Sequence, residues 1–152
     1  MTHDLQGPST AARCLGFGGL VPFVVLATAV WLAPLASRPF AALALMGYGA
    51  TICSFQGAMH WGLAMRDGSS ARVSSFLWGV MPSLLGWVAL LLAPVPGLLL
   101  IVATLCGCFA VDRVVYPRAG LQAWLPMRFQ LTLVASLGCL AAVAAVVAAP
   151  GL

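Results

Sequence analysis

Charge is what this sequence has least of. Only 7% of its 152 residues are charged, whereas soluble domains carry about 25%. All seven basic residues are arginine and all three acidic residues are aspartate, so lysine and glutamate are absent. Ten charged side chains cannot cover a soluble fold, and 62% of the residues are hydrophobic. The sequence therefore predicts an integral membrane protein of one compact domain, with the lipid bilayer as its partner and no nucleic acid.

Cysteines and histidines are too few and too scattered for most metal or haem sites. The cysteines are Cys14, Cys53, Cys106, Cys108 and Cys139. They form an odd set lying mostly in apolar segments, so no disulfide framework is expected. No second cysteine pair or histidine cluster completes a zinc site beside Cys106 and Cys108. The two histidines are His3, in the polar N-terminal tail, and His60, so one chain cannot hold a bis-histidine haem.

Catalytic machinery is also missing from the sequence. There is no serine or cysteine nucleophile motif, and no ionisable residue falls near the middle of an apolar segment, which argues against a pump or channel. We therefore predict no catalytic residue, no metal site and no cofactor, and we favour a non-enzymatic protein. A haem held by His60 with Met81 or Met127, or a bound quinone, stays open.

Long hydrophobic runs are what the sequence does contain, and a membrane span needs about 20 apolar residues. We predict a polar tail over residues 1–14 and, over 15–152, a single all-α domain of five transmembrane helices. The helices are predicted at about residues 15–33, 39–65, 73–93, 97–112 and 126–149. The fourth is the shortest, and an extension of it through Asp112 into "RVVY" stays open. The connection before the last helix is expected to hold Tyr116 and Trp124 at headgroup level.

The arginines fall mostly on one side of these five helices. That side holds Arg13, Arg66, Arg72, Arg113, Arg118 and Arg128. The other side holds Arg38 alone. Because positive charge accumulates on the cytoplasmic side, we predict a cytoplasmic N-terminus, a C-terminus on the opposite side, and a multi-pass protein of a bacterial inner membrane. If the chain is organellar, the matrix takes the place of the cytoplasm.

Polar residues recur at helical spacing on three of the predicted helices. They are Cys53, Gln56 and His60 on the second, Thr104, Cys108 and Asp112 on the fourth, and Arg128, Thr132 and Ser136 on the fifth. Each stripe has an ionisable residue at its cytoplasmic end, and such residues usually face the bundle interior and find partners. We therefore predict that His60 faces inward and meets Asp112 and Arg128.

Two interpretations of these polar residues stay open. The functional one is a pocket at the cytoplasmic leaflet. Its candidate ligand- or partner-binding residues are Ser54, Gln56, His60, Trp61, Trp87, Asp112, Arg113 and Arg128. The structural interpretation is that interhelical hydrogen bonds and one ion pair fix the register of the helices. Such hydrogen bonds contribute about 0.6 to 2 kcal/mol each. Both apply to His60, while for Ser54, Thr104 and Ser136 we favour the structural one.

Five short segments occur in an order that resembles a known family. They are "LGFGGLVPF", "YGATICSFQGAMHWG", "MPSLLGW", "DR" and "RFQLT". Together they resemble the transmembrane-protein-69-like family, small polytopic membrane proteins of unknown function, over nearly the whole chain after Cys14. The resemblance implies pattern positions at Pro22, Ser54, Gly57, His60, Trp61, Gly62, Pro82, Trp87, Asp112, Arg128 and Thr132. Gln56 departs from the apolar residue expected there. The resemblance implies an energy-transducing membrane but no reaction or ligand.

Two functions from different classes follow from the sequence. The first is a non-enzymatic accessory or assembly subunit of a larger respiratory or other energy-transducing complex. A ridge of small residues, Gly49, Cys53 and Gly57, would provide close helix packing and could dock other integral membrane subunits. The alternative is a pocket protein that binds or passes a quinone, a tetrapyrrole or a lipid headgroup at the cytoplasmic leaflet.

Overall fold

The computed structural model describes residues 7–68 and 72–148, and within these ranges the protein is a helical bundle without strands. The helices are α1 (Thr10–Gly18), α2 (Val21–Leu32), α3 (Arg38–Asp67), α4 (Val73–Leu90), α5 (Pro94–Arg118) and α6 (Leu125–Ala148). Short 3-10 turns, Leu35–Ser37 and Gln122–Trp124, precede α3 and α6. Within the described residues, five segments are long and apolar enough to cross a membrane. The predicted all-α, five-span membrane fold is confirmed, while the orientation of its termini stays a prediction.

The first span differs from its prediction because it is broken into α1 and α2. The break falls at Gly19 and Leu20, just before Pro22. Proline has no backbone N–H, and its ring would clash with the carbonyl of Gly18 in a continuous helix. Tyr48 on α3 fixes the break by donating a hydrogen bond to the carbonyl of Gly19 at 2.7 Å. The helix also begins earlier than predicted, at Thr10, so part of the expected polar tail is helical; residues 1–6, including His3, lie outside the described residues.

The fourth span is longer than predicted at both ends. Pro94 and Pro96 lie in the first turn of α5, where backbone N–H groups have no helical partner and proline is tolerated. At the other end α5 continues past Asp112 to Arg118. Tyr116, expected at headgroup level, is instead on this extension and only 1% exposed. Tyr116 therefore packs among the helices instead of lying in a connection, while its depth at headgroup level stays a prediction.

Helix α3 packs against α2, α4 and α5 and lies at the centre of the bundle. Small residues let the helices approach closely. A Cβ atom at Gly57 would collide with the backbone carbonyl of Gly79 on α4, and one at Gly49 would lie 2.7 Å from Ile101 Cγ2 on α5. Cys53 between them is fully buried. The predicted ridge is thus a packing surface within the chain and is not free to dock a partner.

Candidate functional site

Three ionisable side chains from three helices meet inside the bundle. Asp112 on α5 accepts hydrogen bonds from Arg128 on α6, whose Nε and Nη2 lie 2.8 Å and 2.6 Å from Oδ2. The other carboxylate oxygen, Oδ1, lies 2.9 Å from Nε2 of His60 on α3. All three residues are buried, with exposures of 5% for His60, 1% for Asp112 and 7% for Arg128. The predicted meeting of these residues is confirmed; we call them the charge cluster.

Sequence spacing explains why the charge cluster forms. Asp112 continues the buried stripe of Thr104 and Cys108, and Arg128 begins the buried stripe of Thr132 and Ser136. Because residues four apart share one face of a helix, a stripe that faces the core brings its ionisable end into the core. A buried charge is tolerated only when it is paired and hydrogen-bonded, and Asp112 provides that pairing for Arg128.

Aromatic side chains surround the imidazole of His60. Its ring centroid lies 6.4 Å from that of Trp78 on α4, in a T-shaped arrangement, and 6.4 Å from that of Tyr116. The Tyr116 hydroxyl lies 3.8 Å from the sulfur of Met59. Tyr116 was not among the sequence candidates. Tyr116 could have been found from its spacing, because it lies four residues after Asp112 on the same stripe.

An apolar cavity of about 360 Å³, the apolar chamber, lies on the Arg128 side of the charge cluster. Its walls come from α1, α2, α3, α5 and α6 and include Leu15, Phe23, Leu105 and Leu131. Its polar side chains are Gln56, Arg128 and the indole of Trp124. Gln56 is 4% exposed, and its Oε1 has no hydrogen-bond partner among the described residues. A buried polar atom without a partner is uncommon and calls for an explanation.

A second cavity, of about 230 Å³, lies on the other side of the cluster and is more polar. We call it the polar cavity. His60, Asp67, Ser74, Ser75 and Trp78 contribute to its lining, where α3 ends and α4 begins. The charge cluster therefore separates two compartments, with His60 lining the polar cavity and Arg128 lining the apolar chamber. Of the residues predicted to form one pocket, Gln56 and Arg128 line the apolar chamber and His60 lines the polar cavity.

Besides Gln56, four of the predicted site residues lie outside the cluster. Arg113 is exposed, because a residue adjacent to the inward-facing Asp112 is turned about 100° around the helix. Trp61, 41% exposed, instead donates its indole N–H to the carbonyl of Phe76 at 2.9 Å and so ties α3 to α4.

The other two lie elsewhere in the bundle. Ser54 bonds the carbonyl of Ala50 within its own helix, at 3.0 Å, which fits the structural interpretation. Trp87 is 59% exposed and lines neither cavity. It follows Trp78 by nine residues, or roughly 13 Å along the helix, which is too far to reach the cluster.

Metal binding has no obvious location in this arrangement. Among residues 7–68 and 72–148, no group of three or more His, Cys, Asp or Glu side chains is placed to hold a metal ion. The five cysteines are free thiols, and three of them, Cys53, Cys108 and Cys139, are buried in helix contacts. The chemistry that the site offers is therefore hydrogen bonding and charge, set between an apolar and a polar compartment.

Comparison with known proteins agrees with the resemblance in the sequence. Transmembrane protein 69 of Xenopus tropicalis is 38% identical over 102 residues, which cover 60% of this chain and 38% of that protein. The match thus covers little more than a third of the length of that relative. No solved structure matches the chain. A family profile described as "Protein of unknown function (DUF3429)" matches residues 8–145. Since this match spans most of the chain, the protein belongs to the DUF3429 family of small membrane proteins.

Proposed function

We propose that this protein binds a small lipid-soluble molecule within the bilayer. The polar head of the molecule would contact Arg128 and Gln56, and its apolar part would lie along the apolar chamber. One observation carries this proposal: a single cavity joins apolar walls to a buried cation and to a buried amide oxygen that lacks a partner among the described residues. A bound head would supply the missing partner.

The size and lining of the apolar chamber support the same proposal. Ligand pockets usually enclose about 300 to 1,000 Å³ and combine apolar walls with a few polar groups that orient the ligand. The chamber, at about 360 Å³, lies at the small end of that range. Its volume suits a ring or the first part of a hydrocarbon chain.

The position of His60 favours some ligands of the runner-up prediction over others. A haem would use the imidazole as an iron ligand. However, Nε2 of His60 is bonded to Asp112, and His60 lines the polar cavity instead of the apolar chamber. A quinone-like or lipid-derived molecule needs no such ligand, and we therefore favour it over a tetrapyrrole.

The proposal is tested by filling the apolar chamber. Leu131 lines the chamber, whereas Leu133 on the same helix faces outward and is 44% exposed. The protein is purified from its native membrane in mild detergent, extracted with organic solvent and analysed by mass spectrometry and absorbance. We expect one lipid-soluble compound near a 1:1 ratio in wild type and Leu133→Trp, and its loss from Leu131→Trp. Equal amounts in both variants, or no enriched compound in wild type, would overturn the proposal.

The role of accessory or assembly subunit stays a prediction. The small-residue ridge that suggested it packs inside the bundle, so other integral membrane subunits would have to dock elsewhere. The membrane-spanning helices imply contact with the bilayer, while the bacterial inner membrane stays a prediction from the arginine distribution.

A further inference from the structure

We infer that the apolar chamber selects a neutral polar head, one that accepts a hydrogen bond from Arg128 and donates one to Gln56, in preference to an anionic head. The inference rests on the proposed function, because it names the chemical class of the molecule that the chamber binds. Quinols and protonated fatty acids share this chemistry, an oxygen acceptor close to an O–H donor.

The charge balance around Arg128 argues against an anion. Asp112 already receives two N–H groups of Arg128, at 2.8 Å and 2.6 Å, and both residues are buried. The positive charge is therefore compensated before any ligand enters. Among the described residues that line the chamber, Arg128 is the one with a charge. An anionic head would add an uncompensated negative charge in apolar surroundings, which is far less favourable than a neutral, hydrogen-bonded head.

The hydrogen-bonding groups left over in the chamber define the complementary head. A guanidinium carries five N–H groups; Arg128 uses two of them on Asp112 and a third meets the Tyr116 hydroxyl, which leaves two for a ligand. Oε1 of Gln56 is a buried acceptor, and no group among the described residues donates a hydrogen bond to it. A head that offers both an acceptor and a donor satisfies Arg128 and Oε1 of Gln56 together, whereas a fully ionised phosphate or carboxylate has no O–H group to donate and leaves that oxygen without a partner.

Matched ten-carbon probes test the preference with detergent-purified full-length protein. Decanamide has a neutral head with an acceptor and a donor. Decanoate and decyl phosphate have anionic heads, and decane has no polar head. Affinities are measured by calorimetry at pH 8.5, where decanoate is ionised. We expect decanamide to bind wild type at least about tenfold more tightly than each of the other three, a difference of about 1.4 kcal/mol.

Two variants assign the preference to particular residues. Gln56→Leu removes the acceptor without changing any charge. It should lower the ratio of the affinity for decanamide to that for decane by about tenfold. Asp112→Asn leaves the charge of Arg128 uncompensated, and it should reverse the order so that decyl phosphate binds more tightly than decanamide. If Asp112→Asn does not yield folded protein, Gln56→Leu decides the question, because it preserves the charge cluster.

The possible results separate this inference from the proposed function. The inference is overturned if an anionic probe binds wild type as tightly as decanamide. It is also overturned if all four probes bind with equal affinity, as their shared ten-carbon chain alone would explain. In both cases the chamber still binds a lipid-soluble molecule. If no probe binds and Leu131→Trp changes nothing, the proposed function is itself overturned. The compound extracted from native membranes distinguishes the two sources, since a quinol, or the quinone to which it oxidises in air, absorbs in the near ultraviolet and a fatty acid does not.

Discussion

Asp112 has more influence on the site than any other residue, because it contacts both other members of the charge cluster. One of its oxygens binds Arg128 and the other lies at hydrogen-bond distance from His60. Removing one partner of a buried ion pair leaves an uncompensated charge, which destabilises proteins by about 3 to 5 kcal/mol. An interhelical hydrogen bond between uncharged groups in a membrane contributes only about 0.6 kcal/mol on average. Substitution of Asp112 or Arg128 should therefore destabilise the protein much more than substitution of His60.

We predict that Asp112→Ala lowers the free energy of unfolding by about 3 to 5 kcal/mol. His60→Gln should lower it by about 1 kcal/mol or less, because glutamine can still bond the carboxylate. The measurement is denaturant unfolding in detergent micelles. Asp67→Asn is the matched control, since Asp67 is exposed and its ion pair with Arg66, at 3.3 Å, is also exposed. Equal losses for Asp112→Ala and Asp67→Asn would contradict the burial of the cluster.

At the scale of helices, the contact between α3 and α4 depends on two glycines that face each other. Gly57 and Gly79 bring the two backbones together, and further along the same interface a Cβ atom at Gly86 would lie 3.1 Å from Cα of Ala50. This close approach places Trp78 beside His60 and closes one wall of the polar cavity. The helix crossing therefore shapes the site without contributing a charged group to it.

We predict that Gly57→Ala destabilises the bundle by about 1 to 3 kcal/mol, the usual effect of overpacking a buried contact. Its new methyl group would collide with a backbone carbonyl, which cannot move as a side chain can. Gly62→Ala on the same helix is the control, because nothing lies within 4 Å of its added methyl group. Alanine there should be neutral or stabilising by up to about 1 kcal/mol. Thermal unfolding of the two variants gives the comparison, and a Gly57→Ala protein as stable as wild type would refute this helix contact.

The sequence predicted some helices better than others, for physical reasons. For α3, Pro39 in the first turn and Gly68 after the last mark both ends in the sequence, and the helix runs from Arg38 to Asp67. The break before α2 was missed because hydrophobicity is continuous across Gly18–Leu20, although Pro22 is a signal for it. The sequence left open whether the fourth helix ends near Asp112 or continues into "RVVY", because Asp112 and Arg113 suggest a loop until Asp112 is seen to pair inside the bundle.

The candidate site was likewise predictable from the sequence only in part. The meeting of His60, Asp112 and Arg128 could be predicted, because each residue ends a polar stripe on its helix. The apolar chamber could not, because its walls are ordinary apolar residues from five helices and its shape depends on their packing. Arg113 and Trp87 lie outside the charge cluster and line neither cavity, since sequence proximity and residue type do not give the direction of a side chain.

At the scale of the whole molecule, the positions of the two cavities and of the arginines predict how the bundle is oriented in the membrane. The polar cavity lies where α3 ends and α4 begins, and Arg66 and Arg72 lie at the same helix ends. If positive residues mark the cytoplasmic side, His60 is reached from the cytoplasm, while the apolar chamber is reached from within the bilayer. The charge cluster would then form the boundary between the two.

We predict that alkaline phosphatase, which is active only outside the cytoplasm, is active when fused to the C-terminus of this chain and inactive when fused to the N-terminus. The reason is the excess of arginine on one side of the five spans, six against one. A cytoplasmic reporter, such as a fluorescent protein that fails to fold after export, serves as the control and should give the opposite pattern. The reverse pattern for both reporters would place the polar cavity on the other side of the membrane.

The most direct measurement of the central claim is an experimental structure of the protein purified from its native membrane. The account predicts an elongated density within the apolar chamber, with its head at hydrogen-bond distance from both Arg128 and Gln56 and the ion pair between Arg128 and Asp112 intact. A chamber that is empty, or that contains only an acyl chain whose headgroup lies outside it, would contradict the account.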